Sequence, residues 1–270
     1  MKTLAPTLMT LLAGMSAATA GEMVEPTLPP APEPAKKISG SLAFDAYSHF
    51  ISYGADVWDD GDEFGNFAFN PSLELTFDLG GGLSASLGTW WDVNDKGGDS
   101  FGGHLEEIDV WAGLSYTKGI YTVSATYQQW YYGDSTEEIL DLGLAIDTFL
   151  SPSLTIHQRI DAGASGGDEG TIAVLGLEHG FEAGPVSFSV PLNVAYFITD
   201  DFHGPGADSG FGYASLGLGA SVPLEFMSDS LGGDWAFNAG LTYYVTNDDV
   251  VIGDPEDSFL VTNFGISCDF

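Results

Sequence analysis

The stretch Phe259-Leu260-Val261-Thr262-Asn263-Phe264-Gly265-Ile266-Ser267-Cys268-Asp269-Phe270 decides how the rest of the chain is read. Leu260, Phe264, Ile266, Cys268 and Phe270 fall on one face at period two, with Asn263, Gly265, Ser267 and Asp269 on the other. Successive side chains of a strand point to opposite faces, so one face suits hydrocarbon and the other water. The same two-faced pattern recurs upstream, in segments of about nine to fourteen residues. That is the length a tilted strand needs to cross a bilayer, whereas strands of soluble domains cluster near five or six residues.

Working outward, alternation places strands at about 38–51, 67–79, 83–92, 105–117, 120–131, 138–148, 152–161, 171–181, 185–198, 211–224, 235–246 and 258–270. The clearest has Phe67, Phe69, Leu73, Leu75, Phe77 and Leu79 on one side and Asn70, Ser72, Glu74, Thr76 and Asp78 on the other. No stretch shows capped helical periodicity, and none approaches the apolar run of a membrane helix. The expected fold is all-β: a closed antiparallel transmembrane β-barrel of about 12 strands, closed because lipid cannot satisfy an open edge.

The connections carry independent information. Those after odd strands are long, acidic and glycine-rich: 52–66, 93–104, 132–137, 162–170, 199–210 and 247–257. Those after even strands are short, the exception being 225–234. Short turns on the periplasmic side and long loops outside are the habit of outer-membrane barrels, and this parity puts both strand ends of the barrel on the short-turn side. Aromatic girdles are expected at Tyr116, Tyr121, Phe149, Phe226 and Phe270 on one rim, and at Phe50, Phe67, Phe69, Trp91, Tyr131, Tyr196 and Phe211 on the other. A soluble β-sandwich, which also alternates, would keep its aromatics mid-strand.

Residues 1–20 read as a signal peptide, with Lys2, the apolar run Leu4–Met15 and the small-x-small site Ala18-Thr19-Ala20. Residues 21–37 form a leader dense in proline (Pro26, Pro29, Pro30, Pro32, Pro34), a semi-rigid spacer outside any core. Residues 38–270 are then one barrel domain. The expected location is the cell outer membrane after signal-peptide-dependent export, with lipid and lipopolysaccharide as surroundings. The single Cys268 excludes an intrachain disulfide.

At this point the chain resembles bacterial outer-membrane porin-like barrels, and its terminal Phe270 looks like the aromatic by which the outer-membrane assembly machinery recognises its clients. The segment from Asp141-Leu142-Gly143-Leu144 to Ile156, with Leu177-Glu178-His179-Gly180-Phe181-Glu182, is similar to porins of the TorF type. The resemblance implies passage of small solutes without naming one.

Charge sharpens that expectation. The chain carries 39 acidic against 6 basic residues, and between residues 38 and 270 only Lys96, Lys118 and Arg159 are basic. Such a chain does not favour phosphate-rich partners by itself, and nucleic acid is not an expected partner. Loop carboxylates cluster at Asp56, Asp59, Asp60, Asp62 and Glu63, and at Asp248, Asp249, Asp254, Glu256 and Asp257. They keep loops solvated, and their density also suits loose divalent cation binding. Others are expected to line the pore: Asp45, Glu74, Asp78, Glu107 and Asp109, with His157, Arg159 and Asp161 sharing a face, and with Trp90, Trp111 and Trp130 inward on consecutive strands. Arg159 reads first as a partner for interior carboxylates, and the indoles as packing or as faces for sugars. The run opening at Asp92-Val93-Asn94 fails as an EF-hand, because Lys96 and Gly103 occupy ligand positions. No nucleophile–base pair has a recognisable context, and no cofactor motif occurs. The function expected is a cation-preferring diffusion channel. The alternative is a structural or adhesive surface barrel with a narrow or plugged lumen.

Overall fold

The computed structural model describes residues 37–58, 67–96, 100–163, 165–253 and 256–270. The expected signal peptide, the leader up to residue 36, Gly97 and the loop acids Asp59, Asp60, Asp62, Glu63 and Asp254 lie outside the described residues.

The elements in chain order are β1 (Ile38–Tyr47), β2 (Ile51–Ser52), β3 (Ala55–Asp56), β4 (Ala68–Gly80), β5 (Leu83–Val93), β6 (Leu105–Lys118) and β7 (Tyr121–Tyr132). They continue with β8 (Ser135–Ile146), β9 (Ser153–Asp161), β10 (Gly170–Ala183), β11 (Val186–Phe197), β12 (Gly210–Pro223), helix α1 (Glu225–Leu231), β13 (Asp234–Thr246) and β14 (Ser258–Asp269). Apart from the small β2–β3 hairpin, every strand pairs antiparallel with its neighbours in sequence. β1 closes the ring against β14, in the register Ser41↔Asp269 to Tyr47↔Asn263. The result is a closed 12-strand up-and-down barrel. Backbone bonds from Gly40 N to Phe270 O and from Phe270 N to Gly40 O, both 2.9 Å, extend the seam to the last residue.

The phase of the strands is the one the alternation dictates. Leu87, Leu114, Leu175 and Leu216 stand on the outer wall with half or more of their surface exposed. An apolar band of this extent is untenable in water and is what a bilayer covers. Among the described residues no helix is long and apolar enough to cross a membrane. Tyr116, Tyr121, Phe149, Phe226 and Phe270 are exposed at the short-turn rim, and Phe67, Phe69, Trp91, Tyr196 and Phe211 at the other.

Five details differ from the sequence reading, each for a local reason. The first strand ends at Tyr47 instead of residue 51, because Tyr53 (φ 50°) and Gly54 (φ 91°) turn the chain back in a tight hairpin. Phe50 consequently leaves the girdle and folds inward, its ring 5.2 Å from that of Trp90. The connection read as long at 132–137 is the two-residue turn Gly133-Asp134, with Gly133 at φ 66°. The segment 225–234, which lacks an apolar stripe, holds the seven-residue α1. Finally, Cys268 is buried although it belongs to the outward series of β14. Gly233, in the turn after α1, presses so close that an added Cβ would sit 2.6 Å from Cys268 Sγ.

The apolar core is not in the middle of the barrel. It sits inside the long-loop mouth, where Ile172, Ala195 and Phe197 of the wall meet Phe202 of the 198–209 loop and Val250 and Val251 of the 247–257 loop.

Candidate functional site

The interior is built by the inward residues of each strand, and at the long-loop end by loops that fold back onto them. The β2–β3 hairpin carries Tyr53 into the mouth. There it stacks on Trp130 (centroids 5.5 Å apart) and meets His157 and Phe202 edge-on at 5.8 and 5.1 Å. His203 Nε2 donates to the Tyr53 carbonyl over 3.3 Å, and the ring packs on Phe197 at 5.1 Å. Burial and the neighbouring Arg159 guanidinium push the His203 imidazole down to about 4, so it is neutral at pH 7.

Arg159 is the hub of this cap. Its Nε donates to Glu137 Oε1 at 2.5 Å, and its Nη1 donates to the carbonyls of Phe202 at 2.7 Å and Asp168 at 3.3 Å. The guanidinium lies over the Phe202 ring at 3.6 Å from the centroid, and 5.4 Å from that of Tyr53. Arg159 and Glu137 are 3% and 2% exposed. A charge this dry is tolerable only because carboxylate, carbonyls and rings replace its water together. Beside it, Asp141 bridges His157 Nδ1 (2.7 Å) and the donating Gln128 Nε2 (2.6 Å), and Trp130 Nε1 donates to Gln128 Oε1 at 3.3 Å.

A second acidic group lines the β4–β7 wall. Asp92 accepts from Asn70 (3.0 Å), Asn94 (2.7 Å) and Trp58 of the first loop (3.1 Å). Trp111 Nε1 donates to Glu74 Oε2 at 2.7 Å, its indole filling the space over Gly88. Glu107 and Asp109 interact directly, yet Glu107 Oε1 and Asp109 Oδ1 have no hydrogen-bond partner. Toward the short turns the interior changes character and is lined by small hydroxyls and amides. Ser84 bonds Ser115 at 2.7 Å, Thr117 bonds Thr122 at 2.9 Å, and Asn238 donates to Ser267 at 2.8 Å.

Against the sequence reading, Asp45, Glu74, Glu107, Asp109, His157, Arg159, Trp90, Trp111 and Trp130 all lie on inward faces. Asp78 lies at the exposed short-turn rim, accepting from Gly80 N at 2.8 Å. Asp161 does not share the inward face of His157 and Arg159. The register shifts between Glu138 and Ile139, so that Asp161 comes opposite Glu138 at the exposed rim and accepts from Gly163 N at 3.0 Å. A bulge re-aims the residues beyond it, and strict alternation cannot foresee that. Sequence reasoning missed Tyr53, Glu137, Asp141, Phe202 and His203. Their signal is faint: isolated aromatics within acidic, glycine-rich loops, and carboxylates at the end of a strand whose phase is poorly marked.

No family model matches the chain, and no curated protein matches it. Solved structures do. An outer membrane channel from Pseudomonas putida F1 is similar at a TM-score of 0.53 with 10% identity, over 88% of this chain and 99% of that one. A KdgM porin is similar at 0.48 with 8% identity over 85% and 99%, and the outer membrane phospholipase A from Escherichia coli at 0.44 with 12% identity over 88% and 94%. At such identities the likeness speaks for architecture alone. The chain has the closed 12-strand antiparallel fold seen in outer-membrane barrels.

Proposed function

We propose that this chain is an outer-membrane channel through which small solutes diffuse passively, with a preference for cations. The observation that supports it is the charge of the interior. Asp45, Glu74, Asp92, Glu107, Asp109 and Asp141 project inward, while the inward cation Arg159 is already matched to Glu137. Fixed negative charge in a low-dielectric wall concentrates cations and raises the barrier to anions. In this reading the short turns face the periplasm, the long acidic loops face lipopolysaccharide with loosely held divalent cations, and Phe270 is the signal read by the assembly machinery. The TorF-like stretch falls on β8, β9 and β10, the wall that carries Asp141, His157 and Arg159.

The reading is non-enzymatic. The Ser48 Oγ to His49 Nδ1 bond (2.7 Å) belongs to a buried clasp, in which Thr262 N donates to Ser48 Oγ and Ser48 N donates to Thr262 O, both at 2.9 Å. A second reading, a structural or adhesive barrel, is favoured by the cap of Tyr53, Phe202, Val250 and Val251 in the mouth. Reversal potential in a planar bilayer under a KCl gradient separates the readings. Cation preference at 0.1 M that fades at 1 M, as the screening length falls from about 10 Å to about 3 Å, is the expected result. Anion preference refutes the charge argument, and absence of conductance favours the capped, structural barrel.

A further inference from the structure

Asp109 occupies an unusual place in the wall. It pairs across the sheet with Trp90 on one side and Trp130 on the other, so a carboxylate stands between two indoles on the inward face. The first loop adds two more rings, Phe50 at 5.2 Å from Trp90 and Tyr53 at 5.5 Å from Trp130. Phe50, Tyr53, Trp90 and Trp130 are each half-buried as residues. Glu107, two residues nearer the mouth on the same face, is 2% exposed. Each of the two carboxyls holds a buried oxygen without a hydrogen-bond partner. Two adjacent carboxyls with unspent acceptors, walled by aromatic faces, suit a cation that donates hydrogen bonds and spreads its charge over rings.

The molecule contains its own precedent beside the same Tyr53 ring. Arg159 is held by a carboxylate, two carbonyl oxygens and the faces of Phe202 and Tyr53. The Asp109 group offers similar chemistry, two carboxyls beside Trp90, Trp130 and Phe50, and shares the Tyr53 ring with Arg159. We propose that Asp109 and Glu107, with the ring cage of Trp90, Trp130, Phe50 and Tyr53, form a binding site for a guanidinium-bearing solute. The site deepens the channel reading and rests on it only for the route of entry. It is where a permeating guanidinium cation pauses, between the loop cap and the hydroxyl-lined half of the barrel.

Binding is tested on the purified full chain in detergent micelles, titrated with methylguanidinium chloride at non-denaturing millimolar concentrations and followed by tryptophan fluorescence. The expected result is a saturable change that sodium chloride of equal ionic strength does not produce, and that tetramethylammonium, which has no N–H donors, produces only at tenfold or higher concentration. Asp109→Asn and Trp130→Leu each weaken the apparent affinity at least tenfold, whereas Asp229→Asn on α1 leaves it unchanged. Glu107→Gln serves as a second carboxyl variant, and heat-modifiable gel mobility verifies folding of each. A response matched by sodium chloride overturns the proposal. So does one retained in Asp109→Asn, or one that calcium chloride saturates instead. The titration needs no membrane: conductance without binding refutes the cage alone, and binding without conductance refutes the channel alone.

Discussion

Arg159→Met tests whether the cap is fastened as described. The substitution removes one bond to a carboxylate and two to carbonyls, and uncovers the faces of Phe202 and Tyr53. It also strands Glu137, 2% exposed, as an uncompensated buried charge. Breaking a buried pair from one side costs roughly 3–5 kcal/mol. Replacing both partners by apolar groups of similar volume is often neutral, so Arg159→Met/Glu137→Leu should recover about 2 kcal/mol of that loss. The double variant still leaves the buried Phe202 carbonyl without this donor, at about 1–3 kcal/mol for a stranded acceptor, while the Asp168 carbonyl is only part-buried. Urea unfolding in micelles, read by tryptophan fluorescence, measures both variants, and the double variant is expected to be about 2 kcal/mol more stable than the single. Single-channel recording gives the functional side, with larger conductance expected once the 198–209 loop loses its anchor. A single variant costing under about 1 kcal/mol, or a double variant no better than the single, refutes the latch.

Three further outcomes follow from the geometry. Leu75→Arg places a charge on the lipid-facing wall opposite Leu87 and should cost about 2–4 kcal/mol in heat-modifiability or urea assays, while the inward Ser72→Arg is milder; equal losses would mean the strand phase is wrong. Gly88→Val sets a Cβ within 2.2 Å of the Trp111 indole, which must leave Glu74, so we expect a loss of about 1–3 kcal/mol and a shifted emission maximum, whereas unchanged emission contradicts the close approach. His203 has its folded-state value lowered from 6.5 to about 4, so the unfolded cap binds more protons in that window. Cap stability is therefore full above about pH 6.5 and falls as pH drops toward 4, read as rising protease cleavage of the 198–209 loop that His203→Gln abolishes.

How much of this was legible depended on what each residue answers to. Wherever a side chain answers to the bilayer, as with Phe69, Leu75, Leu216 and Phe264, period two alone places it correctly, because lipid on one side and water on the other leave a single phase. Where a side chain answers to another segment, the pattern is silent. Asp161 depends on a one-residue register shift, and Phe50 on the positive φ of Tyr53 and Gly54, neither of which leaves a mark in hydrophobic periodicity. The cap was least readable of all. Phe202 and His203 sit in a loop whose glycines and aspartates announce solvation, and only the partner brought by the fold, Arg159 on β9, gives them a reason to turn inward.

The β1–β14 seam has a consequence for how the molecule comes into being. Eleven of the strand pairings join neighbours along the chain and can zip as successive hairpins, each closing a short loop. The twelfth joins Ser41 to Asp269, so its cost in chain entropy falls on the whole length at once and its reward comes only at the end. Until then β1 and β14 are both open edges, ready to pair with any strand presented to them. The completing step of assembly is therefore the moment of greatest exposure to misassembly between copies. A catalyst of insertion would do most for this chain by sheltering those two edges until they meet.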